Sequence, residues 1–434
     1  MSRKAEMLGV YLEPTGSASV RVGSLLLDSK QSVRFVVDQG YIDLGPERPI
    51  LSAAWWFPGD EERTVARLSD ARDKTGLLGL LPAWFRNVLP EGALRVAVER
   101  QMGPGIHTDF DIMKRVGHDL PGAVLVRDEG YAPPARVADH TADDLPPIRF
   151  GLAGVQMKLS VLKEGEGLTV PAEGQYGSII AKLPSRQRGL EFLPELEFSA
   201  MRLAAAAGVT VAACELIPLG KLRGIGPEHR KHGEHALAVT RFDRASGARV
   251  HIEDFAQIFG AVDNQKYTIA NEETLWNGIK RFAADPNGDL LEAVRRFTVN
   301  VLLGNGDAHL KNTSLIYPDG RTVHLSPAYD IVPTFCLDGD DTLAIPLGRA
   351  KTMADVTLET FRRPGMLLSL DSRLLADEAK RTVERAADEW PGLLPNLPLV
   401  KSHAERLRGR WEWVALAEGH RQVFLSGLGA NRPS

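Results

Sequence analysis

The sequence predicts an α+β protein with two lobes, in which a β-rich part is followed by a helical part. Short alternating apolar runs bounded by Gly, Ser and Pro dominate the chain before Ile252, which is typical of strands. After Ile252 the apolar residues recur at helical spacing. A segment rich in proline and acidic residues, 131–147, is typical of a linker. We therefore expect an N-terminal α+β subdomain (1–138), a β-rich lobe (139–258) and an all-helical lobe (259–434).

The composition is that of a soluble globular protein, with 44% hydrophobic and 25% charged residues among 434. The formal net charge of −4 predicts no overall attraction to nucleic acid or to an anionic membrane. Cys214 and Cys336 are too few for a disulfide framework, so we expect free thiols in a reducing cytosol. No signal peptide is evident, and the longest uncharged apolar run, 203–214, is shorter than the ~20 residues that span a bilayer. These features predict a cytoplasmic protein without a membrane segment.

The N-terminal subdomain is predicted from short strand and helix patterns between turn residues. Strands are expected at 10–12, 19–22 and 33–37, and helices at 87–95 and 110–117. We expect the neighbouring Trp55 and Trp56 to pack in the core of this part. It contains no combination of residues that indicates catalysis.

The β-rich lobe begins with a predicted hairpin at 148–162 that contains a Gly-x-x-Gly loop. Backbone N–H groups of such a loop can approach phosphate oxygens because no Cβ intervenes. The strand at 176–184 carries Lys182 near its end, and a helix at 195–207 follows it. A glutamate on that helix is expected to pair with Lys182 and hold it towards phosphates. We favour Glu197 for this role, and Glu195 is the alternative.

Two more strands are expected before the helical lobe, at 209–219 and 236–244. The second of them ends like a strand that passes into a connector between lobes. Main-chain groups of such a connector can form hydrogen bonds with the adenine of a nucleotide. After it, helices are predicted at 252–260, 272–282 and 289–303.

A short loop after the third of these helices carries the strongest chemical signal in the chain. The helical pattern stops at Gly304, and Asp307 and Asn312 lie five positions apart in the loop. Asp-x-x-x-x-Asn is the spacing of a kinase catalytic loop. One predicted hairpin later comes Asp330, where a kinase has its second metal-binding aspartate.

Taken in chain order, these residues predict phosphoryl transfer from ATP with Mg²⁺, within a protein-kinase-like fold. Asn312 and Asp330 are the expected metal ligands, and Lys182 is expected to hold the inner phosphates. Asp307 would accept the proton of the attacking hydroxyl late in the transfer. His309 is expected either to contact the γ-phosphate or to brace the loop.

Four segments of the chain together resemble the HipA family, which are bacterial serine/threonine protein kinases and toxins of HipA–HipB toxin–antitoxin modules. The resemblance extends over essentially the whole chain, since 87–95 and 110–124 are similar to the N-terminal domain of the family. The four segments that carry it are 150–158, 238–244, 307–312 and 327–330.

The resemblance implies an ATP site and a catalytic aspartate, Asp307, with Lys182 as the second catalytic residue. The ATP-binding residues that it implies are Ala153, Gly154, Val155, Gln156, Met157, Lys158, Lys182, Thr240, Arg241, Phe242, His309, Leu310, Lys311, Asn312, Tyr329 and Asp330. It also implies a helix-turn-helix antitoxin similar to HipB as partner, contact with operator DNA mainly through that antitoxin, and a protein substrate of the aminoacyl-tRNA synthetase type. Growth arrest and persistence would follow.

One position departs from the family pattern, because Gly151 stands where family members often have a serine that they autophosphorylate. We therefore expect this chain to lack that self-inactivation. Two other functions stay open from the residues alone. One is a small-molecule or lipid kinase, since such enzymes share Asp-x-x-x-x-Asn. The other is a DNA-bound corepressor with vestigial kinase activity.

Overall fold

A computed structural model describes most of the chain and shows a mixed α+β protein. The residues that it describes are 5–15, 18–129, 157–164, 167–169, 177–185, 187, 189–223, 225, 230–245, 247–371 and 373–426. The first part of the predicted hairpin at 148–162, with Gly151 and its Gly-x-x-Gly loop, lies outside these residues. Within them, no helix has both the length and the apolar character needed to cross a bilayer.

The N-terminal subdomain is built on an antiparallel sheet with the strand order β4-β3-β2-β1-β5. Its strands are β1 (Glu6–Leu12), β2 (Val20–Leu27), β3 (Val33–Val37), β4 (Thr75–Gly76) and β5 (Val124–Arg127). Its helices are α1 (Gln39–Ile42), α2 (Glu61–Ser69), α3 (Ala83–Arg86), α4 (Gly92–Met102) and α5 (Asp109–Val116). Helix α5 begins at Thr108, whose side chain forms a capping box with Asp111. As predicted, Trp55 is buried, and it stacks on Phe35.

A second sheet has the strand order β10-β7-β6-β8-β11-β9. Its strands are β6 (Lys158–Glu164), β7 (Gly167–Thr169), β8 (Ile179–Lys182), β9 (Cys214–Pro218), β10 (Leu222–Arg223) and β11 (His235–Thr240). The predicted helix follows β8 as α6 (Leu193–Ala206). Strands β6 and β8 are antiparallel, and their register places Lys158 directly opposite Lys182. One apolar cluster joins this sheet to the N-terminal sheet, since Leu159 and Val161 belong to the same buried cluster as Leu8 and Val10.

The C-terminal part contains the remaining helices and is not all-helical, so that detail of the predicted fold was wrong. Its helices are α7 (Phe255–Phe259), α8 (Glu272–Phe282), α9 (Pro286–Leu303), α10 (Phe335–Asp338), α11 (Arg362–Leu367), α12 (Leu374–Leu393), α13 (Lys401–Trp411) and α14 (Arg421–Ser426). Its strands, with the short hairpin that precedes them, are β12 (Arg244–Ala245), β13 (Ala248–Arg249), β14 (His251–Asp254), β15 (Ser314–Tyr317), β16 (His324–Leu325), β17 (Thr342–Leu347) and β18 (Ala350–Thr352).

The helix predicted at 252–260 begins later than expected, at Phe255. Glu253 lies instead in β14, opposite Leu315 of β15, and Asp254 caps the helix by accepting from the backbone N–H of Gln257. Long-range pairing with β15 overrides the local helical pattern here. The ends of α8 and α9 agree closely with the prediction, and α9 stops at Gly304, which has a φ of +80°.

Two aromatic clusters stabilise the C-terminal part. Trp276, Phe297 and Phe361 are in mutual ring contact at centroid distances of 5.8–6.3 Å. Trp390, Trp411 and Phe424 form the second cluster, at 5.4–5.5 Å. Each buried aromatic side chain contributes ~1.5–3 kcal/mol through removal of apolar surface from water. These clusters hold α9 in place, and the loop after α9 starts from that fixed end.

Candidate active site

Two lysine side chains converge on the carboxylate of Asp330, and a glutamate pairs with one of them. Lys182 Nζ pairs with Asp330 Oδ1 and with Glu197 Oε1, while Lys158 Nζ lies 3.0 Å from Asp330 Oδ2. Both lysines are almost fully buried, because they sit side by side on the central strands β6 and β8. The structure brings Glu197 to Lys182, whereas the alternative, Glu195, accepts from His235 Nδ1 at 2.9 Å.

The charges of this cluster support one another. Burial alone would lower the pKa of Lys182, but the carboxylates of Asp330 and Glu197 raise it well above its usual value. Burial would also raise the pKa of Asp330, yet Lys158 and Lys182 hold it far below its usual range. Asp330 is therefore an anion and Lys182 a cation at neutral pH. This is the electrostatic arrangement that a polyphosphate and its counter-cation require.

Asp330 adopts an uncommon backbone conformation, with a φ of +55°. A residue other than glycine in this left-handed region costs of order 1–3 kcal/mol, and such residues cluster at functional sites. The preceding residue secures the segment, because Tyr329 donates a hydrogen bond from its hydroxyl to Lys311 O at 2.9 Å. Tyr329 thus links the Asp330 segment to the loop that carries Asp307.

The loop at 304–312 is held by its own hydrogen bonds and by the Asp330 segment. Asp307 O accepts from Asn312 Nδ2 and from His309 N, both at 2.8 Å. Gly306 N donates to Thr334 Oγ1 at 2.8 Å, and Phe335 N donates to Gly304 O at 2.9 Å. Asp307 and Asn312 therefore belong to one rigid turn that lies against the strand-to-helix segment after Asp330.

The carboxylate of Asp307 points outward and is about half exposed, at 52%. Its Oδ1 accepts a hydrogen bond from the hydroxyl of Tyr267 at 2.6 Å. His309 Nε2 lies 3.9 Å from the same oxygen, and burial lowers the pKa of His309 to about 4. The imidazole is therefore neutral at pH 7. Its ring packs edge-to-face on Tyr267 with the centroids 5.0 Å apart, a contact that braces the loop.

Two predicted ATP-binding residues of this loop direct their side chains away from the cluster. Leu310 is fully buried in the apolar core. The ammonium of Lys311 donates to Asn87 O at 2.9 Å and pairs with Glu91 Oε1, both in the N-terminal subdomain. That Leu310 and Lys311 bind ATP stays a prediction, for which their main chain is available.

In the predicted connector, 240–242, main-chain N–H groups and side chains form contacts with other parts of the protein. Thr240 N and Arg241 N are already used, donating to Ala213 O and Ser178 O at 2.8 and 2.9 Å. The guanidinium of Arg241 is buried against Asp243, with Nη2 and Oδ2 2.7 Å apart. Phe242 packs on Tyr329 with the ring centroids 5.7 Å apart.

The N-terminal subdomain also fixes this connector. Asp119 lies 3.0 Å from Arg244 Nη2 and 3.5 Å from Arg241 Nη1, measured from its Oδ1. Gly122 N donates to Asp243 Oδ2 at 2.8 Å. Burial raises the pKa of Asp243, but its arginine neighbours hold it far below the usual range. The connector is therefore tied to a charged network that the sequence pattern did not indicate.

Some predicted residues lie outside the residues that the structure describes. These are Ala153, Gly154, Val155 and Gln156 of the predicted phosphate loop. Met157, which follows them, is half-buried, and its carbonyl accepts from Leu183 N at 3.0 Å.

The oxygen atoms of Asn312 and Asp330 are donors of the kind that Mg²⁺ prefers. Within the described ranges, no group of three or more His, Cys, Asp or Glu residues could hold a metal. Mg²⁺ usually binds through one or two carboxylates together with substrate phosphates, so such a group is not required. Asn312 donates through Nδ2 to Asp307 O, which leaves its amide oxygen as the coordinating atom. Asp330 supplies the carboxylate, so the oxygen donors fit the ion.

Three interactions of the site were not predicted. Tyr267 contacts Asp307 from a 3₁₀ turn (Asp263–Tyr267), and no local pattern marks a tyrosine forty positions away. Glu91 contacts Lys311 across the domain boundary. The pairing of Lys158 with Asp330 was also missed, although Lys158 had been assigned to the ATP site. The β6–β8 register brings Lys158 beside Lys182, and no local pattern of the sequence indicates that register.

The α+β fold, the lysine–glutamate pair and the Asp-x-x-x-x-Asn loop beside Asp330 define a protein of the kinase-like class. Comparison with known proteins agrees with this. The HipA N-terminal domain family matches residues 17–127, and the HipA-like C-terminal domain family matches residues 150–390, more than half of the chain. The chain therefore belongs to the HipA family of kinases.

Individual relatives extend the comparison. A putative kinase, Y4dM of Sinorhizobium fredii, is 39% identical over 80% of this chain and 87% of its own length. The serine/threonine-protein kinase toxin HipA of Shewanella oneidensis is 27% identical over 60% of this chain and 64% of its own. A solved structure from S. oneidensis MR-1, of the toxin–antitoxin system HipA, HipB and its operator DNA, matches with a TM-score of 0.70 at 20% identity. That match covers 97% of this chain and 96% of the other, and it shows the same fold.

Proposed function

We propose that this chain is an ATP-dependent serine/threonine protein kinase and the toxin of a toxin–antitoxin pair. The observation that carries the proposal is the charge cluster at Asp330. Lys158 and Lys182 flank its carboxylate, and Glu197 forms an ion pair with Lys182. A cluster that is buried, balanced and next to the loop of Asp307 suits a site that positions phosphates.

The proposed chemistry assigns a role to each side chain. Lys182, oriented by Glu197, binds the inner phosphates of ATP, and Lys158 adds positive charge at the same place. Asn312 and Asp330 would hold Mg²⁺, which would supply positive charge beside the phosphates. Asp307 orients the acceptor hydroxyl and takes its proton late in the transfer. Neutral His309 supports the turn rather than donating a proton at pH 7.

The ATP site is proposed to comprise Lys158, Lys182 and Asp330 together with the main chain of Thr240, Arg241 and Phe242. Phe242 and Tyr329 form an apolar wall beside the cluster, since their rings are in contact. His309, Asn312 and the main chain of Leu310 and Lys311 complete the site from the loop side. Ala153, Gly154, Val155, Gln156 and Met157 are proposed to bind the phosphates of ATP.

The proposed partner is a small helix-turn-helix antitoxin of the HipB kind, through which the chain would reach operator DNA. The similarity in fold to HipA from the HipA–HipB–DNA complex supports this. The proposed substrate is a cytoplasmic protein of the translation apparatus, of the aminoacyl-tRNA synthetase type. Phosphorylation of such a protein would arrest growth and lead to persistence.

The test is transfer of labelled γ-phosphate from ATP into proteins of a cell lysate by wild type and by Asp307→Ala. Asp371→Ala, which removes an exposed carboxylate before α12, is the matched control. We expect one discrete labelled protein with wild type and control and none with Asp307→Ala. Absence of protein labelling, with ATP still bound, would reject the protein-kinase function. Growth arrest on expression of wild type but not of Asp307→Ala would support the toxin role.

A further inference from the structure

The hydroxyl of Tyr267 occupies a defined place at the carboxylate of Asp307. It donates a hydrogen bond of 2.6 Å to Oδ1. The other oxygen, Oδ2, has no hydrogen-bond partner among the residues that the structure describes. The carboxylate is therefore held through one oxygen and open through the other. An acceptor hydroxyl needs one such open oxygen to be oriented and to lose its proton.

The ring of Tyr267 is itself fixed on two sides. It stands edge-to-face on His309, with an interplanar angle of 75°, and Lys266 Nζ lies 5.3 Å from its centroid. Lys266 in turn lies 3.6 Å from Glu91 Oε2 of the N-terminal subdomain. These contacts restrict the side-chain rotation of Tyr267, and the hydrogen bond from its hydroxyl restricts the rotation of the Asp307 carboxylate.

The turn that bears Tyr267 is anchored at its other end as well. Asp263 lies 3.0 Å from Arg86 Nη2, and Asn87 Nδ2 donates to Ala261 O at 2.6 Å. These contacts all come from α3 and the residues just after it in the N-terminal subdomain. The turn is thus attached to a neighbouring part of the fold, and it reaches Asp307 from outside the loop at 304–312.

We propose that Tyr267 is a positioning residue for the phosphotransfer reaction: its hydroxyl holds Asp307 Oδ1 so that Oδ2 faces the acceptor hydroxyl. The inference rests on the proposed kinase function. A carboxylate without this hydrogen bond would rotate about its χ angles, and the acceptor oxygen would be aligned in only part of the population. The loss should appear in the rate of transfer and not in the binding of ATP, because the proposed role of Tyr267 is at the acceptor hydroxyl and not at the phosphates.

The experiment compares wild type with Tyr267→Phe, which retains the ring packing on His309 and removes only the hydroxyl. Tyr11→Phe is the matched control, because Tyr11 also donates to a carboxylate, Glu129, at 2.6 Å but in the N-terminal sheet. We expect kcat to fall about 10- to 100-fold in Tyr267→Phe, with KM for ATP and the melting temperature unchanged. Tyr11→Phe should keep the wild-type kcat.

The outcomes distinguish a failure of the positioning role of Tyr267 from a failure of the proposed kinase function. An active wild type with the same kcat in Tyr267→Phe would refute the positioning role and leave the kinase function intact. A higher kcat in Tyr267→Phe would also refute it, because the hydroxyl would then compete with the acceptor. A rise in KM for ATP at unchanged kcat would place Tyr267 in nucleotide binding instead. A wild type that transfers no phosphate would refute the proposed function and this inference with it.

Discussion

The ion pair between Lys311 and Glu91 permits a quantitative prediction about how much stability is lost when each of its two partners is replaced. The Lys311 side chain is only 4% exposed, whereas the Glu91 side chain is 37% exposed. Lys311 also donates to Asn87 O at 2.9 Å. The lysine therefore depends on its partners for compensation of its charge, while the glutamate can still be hydrated.

Glu91→Gln removes the negative charge and leaves the buried ammonium in place. Removal of one partner from a fully buried pair costs ~3–5 kcal/mol, and from an exposed pair ~0–1 kcal/mol. Because Glu91 is partly exposed, we expect an intermediate loss of about 2 kcal/mol. Lys311→Met removes the buried charge itself and leaves Asn87 O without a donor, for which we expect about 1 kcal/mol. The glutamate variant should therefore be the less stable one.

Thermal unfolding at pH 7 measures this order. For a cooperative unit of 150–250 residues, 1 kcal/mol corresponds to about 2–4 °C, so Glu91→Gln should lower the midpoint by ~4–8 °C and Lys311→Met by ~2–4 °C. Glu47→Gln is the control, since Glu47 pairs with Arg321 across the same two parts of the chain but is 77% exposed. Its midpoint should change by less than that of either variant. A larger loss for Lys311→Met than for Glu91→Gln would refute the reasoning.

Three further predictions concern the site and its surroundings. Lys182→Met removes the cation that is proposed to bind the inner phosphates and leaves the buried Glu197 without its partner. ATP affinity, measured by calorimetry, and phosphate transfer, measured by the labelling assay, should therefore both be lost; retained affinity would contradict the role of Lys182. Asn312→Ala removes a proposed Mg²⁺ ligand, so activity should require a higher Mg²⁺ concentration, and an unchanged Mg²⁺ titration would argue against that role. Burial lowers the pKa of His251 to about 4, below the ~6.5 of the unfolded chain, so the unfolded state binds the extra proton between these values. Its contribution to stability is complete above pH 6.5 and is lost towards pH 4, by about 1.4 kcal/mol per pH unit. The difference in the free energy of unfolding by urea between wild type and His251→Gln should therefore change with pH at this slope. A difference that stays constant with pH would contradict the prediction.

Many local features of this protein follow from its sequence. The stop of α9 at Gly304 was predicted because a glycine after an apolar helical run adopts the left-handed conformation that ends a helix. The bounds of α8 followed from its periodicity, and the structure shows that the side chain of Asn271 caps its start. The spacing of Asp307, Asn312 and Asp330 is a property of the chain itself, and it pointed to phosphoryl transfer without any tertiary information. The four family segments did the same for the HipA family.

Other features depended on contacts between distant parts of the chain. The strand β14 replaced a predicted helix start because Glu253 pairs with β15, which local propensity cannot anticipate. The choice of Glu197 over Glu195 depended on the direction in which each side chain leaves α6, since Glu197 pairs with Lys182 of β8 and Glu195 accepts from His235 of β11.

The sequence by itself thus determined the fold class, the family and the order of the residues that bear the chemistry. Only the tertiary structure decided that Lys158 shares Asp330 with Lys182, that Tyr267 holds Asp307, and that Glu91 anchors Lys311. The physical reason is one of range. Caps, turns and periodicity act within a few residues and can be read along the chain, whereas the direction of a buried charged side chain is set by whichever distant partner compensates its desolvation.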